Sequence, residues 1–146
     1  GAAGANLSPA VILILGFANL FADGFSMAAS NFLSTKTKLK VLAKKKHTHP
    51  EIRPVKTAVV TFVSFFTVGF IPLISYVAGL FFPLIQANQF GIAIFLTALA
   101  FFIIGLFKAK VVKDSWIASS IETLSLGGAA ATIAFFVGLF LKSIIG

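Results

Sequence analysis

Asn19, Asp23 and Met27 recur every four residues, so on a helix of about 3.6 residues per turn they share one stripe. An amide oxygen, a carboxylate and a thioether are all possible ligands for a metal cation, and the carboxylate can carry a proton as well. Asp23 is the only charged side chain between Gly1 and Thr35, and it lies in a stretch, Pro9 to Leu33, apolar enough to span a bilayer. A charge near the bilayer centre costs about 2.5–3.5 kcal/mol on insertion scales, so acids kept there mark ion paths or partner contacts. A carboxylate that alternately holds a proton and a cation is the minimum equipment for proton-coupled cation exchange. Thioether sulfur suits borderline transition metals better than Mg²⁺ or Ca²⁺, which favours Fe²⁺ or Mn²⁺ as the ion. The plainer role for Met27 is to fill a gap between helices.

Weaker candidates surround this stripe. Ser30 and Ser34 extend it, with Ser26 and Asn31 on its flanks, although small hydroxyl residues also mediate helix packing in membranes. Thr57, Thr61, Ser64 and Ser75 read as packing residues on the next span, where Pro72 predicts a kink that frees a backbone carbonyl. Glu122 could be a further metal ligand, but an acid opening the last span is also explained by the helix dipole. Gly127-Gly128-Ala129 beside it reads as a close-packing face. His47 and His49 form a poor metal site, since no acid or thiolate supports them and the neighbouring lysines repel a cation.

These residues need membrane helices to position them. The chain has 146 residues, 58% hydrophobic and 11% charged, against roughly 25% charged in soluble domains. The expected fold is all-α and polytopic, with four spans at about 9–33, 57–82, 89–107 and 121–145. Ser8-Pro9 signals the first helix start, and the polar cluster Gln86-Ala-Asn88-Gln89 marks the turn between the middle spans. The apolar segment after Pro9 is too long for a signal-peptide core and lacks its basic flank.

Lys and Arg number 12 against 4 acids, a formal net charge of +8. They occupy short connectors, 35–56 and 108–113, and are absent from the 83–89 turn, which places both connectors in the cytoplasm and argues against nucleic acid as the partner. The 36–56 segment is expected to lie against anionic headgroups. There is no Cys, and neither a nucleophile–base pair nor a phosphate loop supports an enzyme. The opening Gly-Ala-Ala-Gly-Ala-Asn looks like the exit of an earlier span.

The stretch Gly4-Ala-Asn6-Leu-Ser8, followed by Gly16 to Ser34 with Asn19, Asp23-Gly-Phe-Ser-Met27 and Ser30, resembles the second helix of the vacuolar iron transporter family. It is most similar to the nodulin-like and prokaryotic branch. Residues 49–72 are similar to the family's third helix and Glu122–Gly138 to its last. The resemblance implies a dimeric, proton-driven exporter or sequestering transporter of Fe²⁺ or Mn²⁺ with five helices per subunit and no cofactor. It also implies a prokaryotic cell membrane, or a vacuolar or other organelle membrane in a eukaryote. The family's ion path is lined by its second helix, whose Met matches Met27. Plant members carry Glu where this chain has Asn19 and Gly where it has Asp23, so the acid is displaced by one turn. Neither the family's first helix nor its acidic cytoplasmic metal-binding domain has a counterpart here, and the basic linker stands in the domain's place.

One carboxylate cannot neutralise a divalent ion in low dielectric. Either a homodimer or a further helix bearing an acid is therefore expected to complete the site. The alternative is a non-transporting assembly subunit, or a truncated remnant, with Asp23 satisfied by a partner's polar group.

Overall fold

A computed structural model describes residues 1–44 and 52–145. Among these residues the regular structure is entirely helical: α1 (Pro9–Lys44), α2 (Pro54–Phe70), a 3-10 turn (Ile71–Leu73), α3 (Ile74–Gly79), α4 (Pro83–Gln86), α5 (Gln89–Val112) and α6 (Trp116–Ile145). Four helical stretches are long and apolar enough to cross a membrane: Pro9–Lys44, Pro54–Gly79, Gln89–Val112 and Trp116–Ile145. The chain is a polytopic all-α integral membrane protein.

Helix ends depart from the charge pattern. At the start of α1, Ser8 Oγ accepts the Val11 N–H at 3.4 Å, so the Ser-Pro signal is a working cap. The helix then runs on through Lys36, Lys38 and Lys40 to Lys44, a segment the charges alone assign to a linker. Thr35–Lys44 contains no Gly or Pro, and its lysines and leucines are good helix formers whose charge suits a C-terminus. His47 and His49 lie outside the described residues. Lys108–Val112 is likewise the last turn of α5, not a loop. That helix stops at Lys113, which adopts the left-handed conformation (φ 59°), while the Asp114 N–H returns to the Ala109 carbonyl.

One further expectation is corrected. α6 begins at Trp116, so Glu122 sits beyond the first turn and the dipole does not explain it. Its charge is met instead by Lys108 Nζ on α5. At Pro72 the chain tightens into the 3-10 turn, and Ser75 Oγ donates to the Pro72 carbonyl at 3.1 Å.

The chain divides into two compact units, one formed by Gly1–Leu15 with Ile71–Gly146 and the other by Gly16–Phe70. The second unit pairs most of α1 with α2. Leu20, Gly24 and Ala28 form the buried stripe of α1. Leu20 fills the space above Gly69, and Gly24 lies beneath the rings of Phe62 and Phe65, 3.3 Å from where its Cβ would stand. Phe17 packs on Phe70, and Phe21 on Phe66, with ring centroids 5.8 and 5.1 Å apart. At such an interface small residues admit rings and van der Waals packing replaces the hydrophobic effect.

In the other unit the main contact is α5 against α6. Gly105 abuts the backbone of Ser119 and Ser120, which are 1% and 0% exposed, and Phe101 covers Gly127. Gly128 meets nothing within 4 Å, so only part of the Gly-Gly-Ala run is a packing face. Phe90 stacks on Phe135 at 6.0 Å, and the N-terminal turn lies against α6 through Gly4 and Phe135 and through Gly1 and Gly138.

Candidate functional site

Two parallel stripes of α1, one residue apart, have opposite fates. Leu20, Gly24 and Ala28 are buried. Asn19, Asp23 and Met27, turned by about 100° around the same axis, are exposed on the chain. Met27 keeps 46% of its surface accessible. Ser26 and Ser30 are exposed too. The packing of α1 on α2 therefore consumes the small-residue stripe and leaves the stripe of Asn19, Asp23 and Met27 uncovered.

The helix fixes the spacing of these three side chains. Side chains four apart on a helix have Cβ atoms about 5–6 Å apart, a distance that one metal ion can bridge. Asn19 with Asp23, and Asp23 with Met27, are two such pairs sharing the carboxylate. Asn19 and Met27 are separated by about 12 Å of rise, too far to chelate one ion together. Each pair has the spacing for bidentate contact with an ion, and each would need further ligands from water or another chain to make a site. Among the described residues no hydrogen bond or ion pair reaches the Asp23 carboxylate, and no three His, Cys, Asp or Glu side chains cluster in a way that could hold a metal.

The electrostatics of this unit are lopsided. Asp23 is its one acid among the described residues, while Lys36, Lys38, Lys40, Lys44, Arg53 and Lys56 gather at one end. The nearest of these along α1, Lys36, lies about 20 Å further on and has its ammonium 5.8 Å from the Phe32 ring centroid. Asn31, a flank of the stripe, is spent on structure: its Nδ2 donates to Thr61 Oγ1 at 2.7 Å, and that hydroxyl donates to the Thr57 carbonyl at 2.9 Å. Thr57 donates in the same manner to the carbonyl of Arg53, the residue just before α2.

Glu122 belongs to the other unit, where Lys108 neutralises it. That unit also contains a polar cavity of about 310 Å³ which sequence reasoning read only as a turn. Asn6, Tyr76, Gln86 and Gln89 line it without any charge, and the Gln89 side chain occupies the space left by the missing Cβ of Gly79. The signal available was the polar cluster at 86–89, together with the chain's one Tyr inside an uncharged run.

The sequence model of the VIT family matches residues 1–51 and again 39–139, the two matches overlapping on the basic segment. A vacuolar iron transporter of Plasmodium berghei (strain Anka) is 24% identical over an alignment of 205 residues, which covers 98% of this chain and 75% of that protein. Since the chain has 146 residues, the alignment is gapped, and the relative holds residues with no counterpart here. No solved structure matches the chain.

Proposed function

The chain belongs to the VIT family, and on that premise we propose that it carries Fe²⁺ or Mn²⁺ out of the cytoplasm in exchange for protons, along the Asn19–Asp23–Met27 stripe. Membership makes it a membrane transporter of metal ions rather than an enzyme. The observation that carries the rest is the pair of stripes on α1: three ligand-type side chains at four-residue spacing lie uncovered inside an apolar span, one residue round from the buried face.

Asp23 is the shared member of both bidentate positions. An ion held between Met27 and Asp23 passes to Asp23 and Asn19 without leaving the carboxylate, and the carboxylate takes a proton when the ion departs. The soft sulfur at one end favours a transition metal over Mg²⁺. The charge of a divalent ion exceeds that of one carboxylate, so the ladder works as a pair: two copies facing each other across a two-fold axis supply two Asp23 groups. Similarity to a vacuolar iron transporter supports export from the cytoplasm as the direction proposed here.

The test is Asp23→Asn, which keeps the shape and removes the charge. Proteoliposomes carrying the full chain take up Mn²⁺, and the variant inserts normally but takes up none. Transport by the variant at the wild-type rate sinks the mechanism. A wild-type chain that inserts, self-associates and moves no metal points instead to the assembly-subunit reading.

A further inference from the structure

The cationic end of the Gly16–Phe70 unit has a shape as well as a charge. The Asn31–Thr61 hydrogen bond joins α1 to α2 near this end and so fixes their register there. Arg53 and Lys56 stand at the start of α2, and every residue from Thr57 onward is uncharged until Lys108, which sets the two cations where hydrocarbon gives way to headgroups. A groove of about 360 Å³ opens here, lined by Ile52, Arg53, Lys56, Thr57, Val60 and Thr61. Its mouth is basic, and about 6 Å deeper, one helical turn along, its wall is apolar. Ile52 and Val60 are half exposed, at 49% and 55%. The threonine hydroxyls in the wall donate to backbone carbonyls four residues earlier, those of Arg53 and Thr57. The hydrogen-bonding capacity left for a ligand is therefore that of the guanidinium and the ammonium, neither of which is ion-paired among the described residues.

We infer that this groove holds one anionic phospholipid of the leaflet that faces the basic connectors. The phosphate sits on Arg53 and Lys56, and the first methylenes of the lipid run along Val60. The Arg fork matches phosphate oxygens two at a time, and the ammonium adds a point charge. A soluble phosphate would use the mouth and leave the apolar wall bare, whereas a phospholipid uses both. A zwitterionic headgroup brings its own cation to two fixed cations, so the groove discriminates against it. This is narrower than a diffuse attraction of residues 36–56 for the membrane surface, because it names two cations and one wall. It also stands apart from the transport reading, since it holds whether or not the chain moves metal.

The experiment uses the full chain in phosphatidylcholine bilayers containing spin-labelled phosphatidylglycerol, and reads the motionally restricted lipid fraction. Each surface cation contributes about fivefold to anionic lipid binding, so the wild type selects phosphatidylglycerol over phosphatidylcholine by at least that factor. Arg53→Gln combined with Lys56→Gln removes most of the preference. Lys40→Gln combined with Lys44→Gln, the same change of charge near the end of α1, lowers it several-fold less. Val60→Trp fills the groove without altering charge and also lowers the preference, which decides the matter if the double variant inserts poorly. Equal losses in the two double variants overturn the proposal in favour of diffuse attraction. Release of the labelled lipid by millimolar inorganic phosphate overturns it in favour of a soluble anion.

Discussion

Asn31 Nδ2 donates to Thr61 Oγ1 at 2.7 Å, and through that bond two helices of one compact unit share a polar chain that ends on the Thr57 carbonyl. Hydrogen bonds between membrane helices average about 0.6 kcal/mol and reach about 1.7 kcal/mol. Thr61→Val should therefore destabilise the protein within that range, with Thr61→Ser restoring most of it. Unfolding by increasing denaturing detergent, followed by circular dichroism, measures the difference. A loss above about 3 kcal/mol would mean that Thr61 does more than hold α1 to α2.

Gly105 gives a sharper structural test. A Cβ there would fall on the Cα of Ser120, which is backbone and has no rotamer to give. Gly105→Ala should force α5 and α6 apart at a cost of about 1–3 kcal/mol, as overpacking does elsewhere. Gly91 and Gly128 meet nothing within 4 Å, so alanine at either helical position should be neutral or stabilising by about 0.4–1 kcal/mol. If Gly128→Ala proves as damaging as Gly105→Ala, a further chain covers that face of α6.

The Lys108–Glu122 pair ties α5 to α6, and both partners are partly exposed, at 42% and 57%. Solvent-exposed pairs are worth about 0.2–1 kcal/mol. Lys108→Gln and Glu122→Gln should therefore cost similar, small amounts of stability and leave most metal uptake intact. Uptake abolished by Glu122→Gln but not by Lys108→Gln would instead make Glu122 an ion ligand, the weaker of its roles considered from sequence.

The spans were legible because hydropathy needs no partner: a run with no charge from Thr57 to Phe107 has to hold two crossings. The helix ends were not. Charge reports where the membrane stops, whereas α5 stops where the backbone turns left-handed at Lys113, and nothing in Thr35–Lys44 or Lys108–Val112 breaks a helix. The spacing of Asn19, Asp23 and Met27 was legible because an uninterrupted helix preserves it. Which face of that helix packs was hidden, since in lipid the exposed side is apolar too, as Phe21 and Phe25 show with 55% and 71% of their surface accessible. The glycines at 24 and 69 were the available clue, and their meaning depended on which large side chains faced them.

Met27 separates an ion ladder from a merely acidic pocket. It is exposed, so truncation leaves no cavity in the α1–α2 interface, and Met27→Ala should fold and insert as the wild type does. If the thioether is a ligand, its loss weakens uptake of a transition metal and spares any residual Mg²⁺ leak, because sulfur contributes nothing to a hard cation. Met27→Leu keeps the bulk and loses the sulfur, so it should behave like Met27→Ala. The measurement is the ratio of Fe²⁺ to Mg²⁺ uptake by proteoliposomes of each variant at equal protein content. A ratio that falls in both variants supports the ladder. A ratio that holds in Met27→Leu while uptake of both ions falls in Met27→Ala makes Met27 a packing residue, leaving Asn19 and Asp23 as the ion's only protein ligands on this helix.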